Sequence, residues 1–511
     1  MKKGLVVVGI LSFLLAGCST TGSSAKETDP EVQEISVSLP AELTTLDTTQ
    51  TTDKVTFTVI QHLFEGSYRF DEKSQPVPGL AEEAVISEDG KTYTFKLKEE
   101  AKWSDGQQVQ AADFAYAWKK LVDPKTMGPN AYLLDNVVNS QDIREGKADI
   151  ATIGLETPDE KTFVVHLEQP QPSFLSVVSI GWLAPQRQSY VEEKGTAYGK
   201  TSEDLLYTGP FILKDWQQTG AEWTLAKNPE YYDQAVVKLD KIKGSTIKEE
   251  NTGIQLFESG ELDLQKISGL YVQQYQNNDS LVTQKDIANY FLDFNKQANK
   301  PLANVHLRKA IAIPSINEDF RTYSGDYNEY DSNKAQAEWS QAQSAIGDKI
   351  ELTLLVTDDD HGQKIGEYLQ NQLQDHLPGL TITINKQPRT NLNQSRADGQ
   401  YELSISGWIA GSSDLDSYFN LYKKGSSYNY GGYVNEDYTA LTENARTVDA
   451  NDPDKVFEDY KSAESILLAE DAAQVPLYQS ASNYLIRSTI KDIQFPAYGA
   501  YFYFRTASVE K

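Results

Sequence analysis

The chain has 511 residues, with 74 acidic side chains against 47 basic ones and a formal net charge of −27 at pH 7. That balance argues against nucleic acid or an anionic lipid surface as a partner held by charge, and on its own it serves solubility. A hydrophobic content of 39% over this length supports several cores, so two or three domains are expected.

The chain opens with Lys2-Lys3 and the apolar run Leu5 to Leu15, long enough for a signal segment but short for a membrane span. It closes on Leu15-Ala16-Gly17-Cys18. This pattern predicts a lipoprotein signal over residues 1–17, with Cys18 lipidated and the body held on the outer face of a membrane by acyl groups. Cys18 is the only cysteine, so no thiol remains for a disulfide, a redox pair or a cysteine-bound metal. Residues 18–33, rich in Ser, Thr, Gly, Lys and Glu, read as a flexible tether.

Ordered patterning begins at Ile35-Ser36-Val37-Ser38-Leu39, which alternates as a strand. Tyr93, Phe95 and Leu97 alternate with polar residues, as do Phe163, Val165 and Leu167, giving half-buried strands. Between them Phe114, Ala117, Trp118 and Leu121 fall at helical spacing before Asp123-Pro124. Further on, an alternating strand (Ile350, Leu352, Leu354, Val356) precedes a helix (Ile365, Leu369, Leu373), a Pro378-Gly379 break and a strand with Ile382 and Ile384. That order is a βαβ unit. Val456, Tyr460, Ala463 and Leu467 mark one more amphipathic helix, and the whole reads as a mixed α/β protein.

No GxSxG, HExxH, GxxxxGK[ST] or GxGxxG occurs, so the hydrolase, zincin, P-loop and dinucleotide readings lack their signatures. The five histidines, at 62, 166, 306, 361 and 376, have no metal-ligand spacing. Asp358-Asp359-Asp360-His361-Gly362 lacks the alternation and closing Glu of a calcium loop and reads as a solvated turn. No metal, cofactor or catalytic activity is expected.

Six fragments carry a resemblance. They are Leu63-Phe64-Glu65-Gly66, Ala101-Lys102-Trp103-Ser104-Asp105-Gly106, Ala112-Asp113-Phe114-Ala115-Tyr116-Ala117-Trp118, Thr208-Gly209-Pro210-Phe211, Lys227-Asn228-Pro229-Glu230-Tyr231-Tyr232-Asp233 and Ser406-Gly407-Trp408. In this order they resemble the oligopeptide-binding proteins among bacterial extracellular solute-binding proteins. The resemblance runs from about Ile35 to the C-terminus. It implies a periplasmic-binding-protein-like α/β fold of type II (cluster C), with three domains and a hinged ligand cleft between two lobes. Domain I would take residues 34–64, 190–275 and 488–511, domain II residues 65–189 and domain III residues 276–487. The implied role is a monomeric, lipid-anchored receptor that captures an extended oligopeptide and passes it to the permease subunits of an ABC transporter.

The residues themselves fit that role. From Glu402 to Trp408, Leu403 and Ile405 share one strand face while Ser404, Ser406 and Trp408 share the other. The apolar face is expected to pack inward, leaving Ser406 and Trp408 toward a ligand and Gly407 as a place where another backbone can approach. Strand addition suits a receptor for many sequences, because main-chain hydrogen bonds ignore side chains. The resemblance adds Asp53 and Lys54 as residues that pair with peptide backbone; Asp414 and Asn429 complete the expected ligand-binding set. A plain loop role for Asp53 and Lys54, and a core role for Trp408, stay open.

Two departures stand out. Relatives commonly read Gly-Trp-x-Ala-Asp, the aspartate taking the peptide α-ammonium group; here Ile409-Ala410 leads to Gly411. Asp414 and Asp416 are the nearby substitutes. In the second, Ile313-Pro314-Ser315-Ile316 joins Arg308-Lys309-Ala310-Ile311-Ala312 directly to the segment from Asn317, where relatives usually continue the helix and add a few dozen residues, so domain III is expected to be shortened near residues 312–317. Pro314 should stop the helix. These departures keep a second reading in play, a degenerate paralogue serving as a surface interaction protein or adhesin. A surface hydrolase on this scaffold is a third, without a visible nucleophile and base.

Overall fold

Two long strands, Leu281–Phe294 and Gln474–Ile486, run through the middle of the molecule and pair antiparallel from Leu281 opposite Leu485 to Asp293 opposite Gln474. The register slips between Lys285 and Asn289 and again between Tyr290 and Phe291, opposite Pro476. Pro476 cannot donate to a ladder, and an irregular pair is where a central strand tolerates it.

The computed structural model describes residues 32–218, 220–297, 300–315, 330–409, 415–426, 428–450, 452–497 and 499–510. Cys18, most of the tether, Gly411, Asp414 and residues 316–329 lie outside the described residues. Gln33–Lys511 forms one compact unit. Its main sheet has ten strands, and the two long ones are its fourth and fifth. On one side of them lie Leu403–Ile409, Ile350–Thr357 and Leu380–Gln387. On the other lie Leu264–Ile267, Glu34–Leu39, Lys241–Thr246, Glu222–Lys227 and Phe211–Lys214. A separate four-stranded antiparallel sheet holds Thr92–Lys96 beside Thr162–His166, with Phe95 opposite Phe163.

Apolar residues gather into separate cores. One joins Ile35, Val37, Phe57 and Ile60 to Phe211, Trp223 and Phe504. A second puts Phe114, Trp118 and Leu121 of helix Ala111–Val122 on Phe95 and Phe163. A third packs Leu369 and Leu373 of helix Asp360–His376 on Leu352, Leu354 and Ile382. Here Ile350–Thr357 and Leu380–Gln387 pair in parallel, as a βαβ unit requires. On the opposite face of the same sheet, Phe291 meets Leu421, Tyr422, Tyr433 and Tyr438.

Short polar side chains start the helices. Asp53, Asn304, Asp331, Asp359 and Asp452 each accept a backbone N–H of the first turn, as N-caps do. Asp359 caps with a 2.7 Å bond from the Gly362 N–H, which gives the acidic turn at 358–362 a structural role. The helix Val305–Ala312 ends at Ile313, one residue before Pro314. Among the described residues, no helix is long and apolar enough to cross a membrane, and no group of three or more potential ligands gathers as for a metal.

Candidate functional site: an open strand edge and its walls

The strand Leu403–Ile409 pairs along its whole length with Leu281–Phe294, from Phe294 opposite Leu403 to Ala288 opposite Ile409. Its other side is different. Only Leu403 and Ser404 are in register with Leu354 and Leu355, and beyond them the two strands part. From Ile405 to Ile409 the outer edge therefore has no strand partner among the described residues. An unpaired edge presents N–H and C=O groups in the repeat that an extended chain matches.

The edge opens on a recess of about 140 Å³ bounded by Gly407, Trp408, Tyr290, His361, Arg389 and Arg396. The ring of Tyr290 stacks on Tyr478, with centroids 4.8 Å apart and planes within 8°. The Tyr478 hydroxyl lies 2.8 Å from His361 Nε2. This set fixes the wall on one sheet face. On the other, Trp408 meets Tyr428 edge-on at 4.9 Å. The Trp408 indole N–H is shielded from solvent and has no hydrogen-bond partner among the described residues.

The sequence-derived residues fall into different places. Gly407 lies at the recess, and a Cβ there would stand 2.8 Å from Tyr290 Cε1, so the glycine makes room for a neighbouring ring. Ser406, expected to face a ligand, is instead buried at 3% exposure, and Ser404 at 0%. The physical reason is that both sheet faces are covered here. The Ser406 hydroxyl donates to Asp293 at 3.0 Å, joining Arg396 at 2.9 Å and the Tyr422 hydroxyl at 2.5 Å around one buried carboxylate. Asn429 closes a turn, bonding the Tyr433 N–H at 2.8 Å and the Tyr433 carbonyl at 2.7 Å. Asp416 is already paired with Lys423 at 2.8 Å and Arg446 at 3.5 Å.

Asp53 and Lys54 sit together at the start of the helix Lys54–Leu63. Asp53 accepts the Thr56 N–H at 2.7 Å and the Thr44 hydroxyl at 2.8 Å. The Lys54 ammonium lies 4.7 Å from the centre of the Tyr501 ring, with Lys266 at 5.3 Å from the same ring. Loss of water around it lowers the Lys54 pKa, Asp286 opposes that and Lys266 reinforces it. Asp286 lies in the irregular stretch of the long strand and accepts the hydroxyls of Ser480 and Ser482, each at 3.1 Å. Tyr290, Tyr478, Arg396 and Asp286 had no distinguishing signal in the sequence. They matter because strands distant along the chain are neighbours in the sheet.

The other five fragments prove to be scaffold. Glu65 accepts the hydroxyls of Tyr231 at 2.5 Å and Tyr232 at 2.6 Å, and Arg505 donates to Tyr231 at 2.9 Å and pairs with Asp233. Asn228 donates to the Gly209 carbonyl at 2.8 Å, and Trp103 donates to Asp113 at 3.1 Å. A Cβ on Gly209 would lie 2.6 Å from the Leu63 carbonyl carbon. Thus separate fragments meet in space and lock the chain crossings.

A family model described as "Bacterial extracellular solute-binding proteins, family 5 Middle" matches residues 75–314 and 313–430. The chain belongs to this family, one of binding proteins rather than enzymes, with the periplasmic-binding-protein-like fold. It is 30% identical to a dipeptide-binding protein of Lactococcus lactis subsp. cremoris, covering 99% of this chain and 98% of that protein. Their alignment runs over 548 positions, more than the 511 residues here, so some aligned positions hold no residue of this chain. Among solved structures, Listeria monocytogenes OppA bound to peptide is 30% identical with a TM-score of 0.71, covering 94% of this chain and 100% of that one. The unliganded open form of the periplasmic murein tripeptide-binding protein MppA is 25% identical and superimposes with a TM-score of 0.80, covering 94% and 98%.

Proposed function

We propose that this chain is the substrate-binding component of an ABC-type oligopeptide importer, held at the extracellular face of the cell membrane by a lipid on Cys18. The observation that carries the reading is the open edge Ile405–Ile409 beside Gly407 and Trp408, walled by stacked aromatics. An extended peptide adds there as a strand, its side chains pointing alternately to the Tyr290 and Trp408 faces. Asp53 and Lys54 form the opposing wall and contact the peptide backbone. Residues 34–64, 190–275 and 488–511 act as domain I, 65–189 as domain II and 276–487 as domain III, a division supported by the separate apolar cores. The two long strands form the hinge, since their ladder is broken near Asp286. The protein works as a monomer, and the permease subunits receive the peptide from the closed form. Anchoring raises its local concentration beside the permease.

Loss of the usual aspartate at Gly411, together with the pairing of Asp416, favours ligands that do not depend on a free N-terminus, signalling peptides included. The same loss is what favours the rival reading, a surface interaction protein without uptake. Thermal unfolding with a diverse peptide library separates them. A receptor gains RT ln(1 + [L]/Kd), about 2.7 kcal/mol at a hundredfold excess over Kd, whereas no shift with any peptide supports the rival.

A further inference from the structure

A second, larger cavity of about 240 Å³ lies on the Phe291 face of the two long strands. Its wall is mainly apolar, with Phe291, Phe419, Leu467, Leu468, Pro476 and Leu477, and Glu464 is its one acidic member. Four of the six apolar residues are buried and Phe419 and Pro476 half-buried, while Leu415 and Gln479, at the mouth, are exposed. Two of the polar lining groups are turned to backbone partners, the Tyr418 hydroxyl donating to the Ile287 carbonyl and the Gln479 amide to that of Asp286. Apolar cavities of about 150 Å³ stay dry and take up benzene. One of 240 Å³ holds an indole or phenyl group.

The cavity adjoins the candidate peptide site through one shared wall residue. Tyr290 borders both spaces, and the wall residues Tyr290 and Phe291 are directly opposite Gly407 and Ser406 in the sheet. The strand that offers its edge ends at Ile409, opposite Ala288, close to the irregular stretch where the mouth lies. A peptide laid along that edge and running past Ile409 brings its terminal residue to the mouth. We propose that this cavity seats a bulky apolar side chain from one end of the bound peptide, and that the receptor therefore selects peptides ending in an aromatic or large aliphatic residue. The inference rests on the receptor reading above and adds its specificity.

Burying a large side chain gives about tenfold to a hundredfold in affinity over alanine. The test is calorimetry of the full chain with matched peptides of fixed length carrying Trp or Ala at the first or at the last position. The expected result is a preference for Trp of at least about tenfold at one end only, reduced toward unity in Leu415→Trp, which narrows the mouth from an exposed position. Free indole is expected to compete with the Trp peptide, a readout that does not need the variant to fold. Equal affinity for Trp and Ala at both ends overturns the inference and leaves the receptor reading standing, as does a preference that survives in folded Leu415→Trp and resists indole. Failure of every peptide to bind overturns both.

Discussion

The ring of Tyr290 covers the backbone of Gly407 so closely that a Cβ at position 407 would lie 2.8 Å from its Cε1 atom. The same ring is stacked on Tyr478. Gly407→Ala is therefore expected to push Tyr290 off this stack and tilt the wall of the recess. Overpacking of this kind costs about 1–3 kcal/mol. Peptide affinity measured by calorimetry should fall by roughly tenfold, with native-like circular dichroism.

Ser406 is held differently, and its variant should separate scaffold from ligand contact. Its hydroxyl is one of three donors on the buried Asp293 carboxylate. Ser406→Ala removes one neutral donor, for an expected stability loss of about 1 kcal/mol and an affinity change within about threefold. Asp293→Ala strands the Arg396 guanidinium and should cost about 3–5 kcal/mol. Urea unfolding of the two variants gives the comparison.

Gly411 offers a peptide α-ammonium group no carboxylate, and Asp416 is already engaged by Lys423 and Arg446. Acetylating the N-terminus of a bound peptide should then change its affinity by less than about threefold, under 1 kcal/mol. A preference for the free amine of about a hundredfold would show that another carboxylate takes it.

His62 gives the fold a defined acid limit. Its ring is fully enclosed, with Nδ1 bonded to the Thr58 carbonyl at 2.7 Å and Nε2 accepting the Phe504 N–H at 3.0 Å. Burial disfavours the charged ring and moves its pKa from 6.5 to about 4, the Thr58 carbonyl opposing the shift. Because the folded value is the lower one, the stabilisation is complete above pH 6.5 and is lost as pH falls toward 4. The loss should reach about 3 kcal/mol. Urea midpoints between pH 7 and pH 4 should fall more steeply for the native chain than for His62→Phe.

Much of the scaffold was legible in the residues, and the reason is local. The alternation at Ile350–Val356, the helical spacing at Ile365–Leu373 and the break at Pro378 each specify one element, and together a βαβ unit. The role of Pro314 as a helix stop is equally local. The candidate site was less legible. Alternation placed Ser404 and Ser406 on the face opposite Leu403, as the pairing bears out, but it could not tell that Phe291, Tyr422 and Tyr433 cover that face. Nor does any short pattern announce that Tyr290 meets Tyr478, 188 residues later, with their rings 4.8 Å apart. Such contacts follow from strand order and register.

The central claim is that a peptide adds as a strand to the edge Ile405–Ile409. Hydrogen exchange of the full chain, with and without a saturating peptide that shifts its melting temperature, tests this directly. The account predicts strong slowing of backbone amides within Ile405–Ile409, with little change in the remote strands Glu222–Lys227 and Lys241–Thr246. A peptide that stabilises the protein while leaving those edge amides unprotected would contradict it.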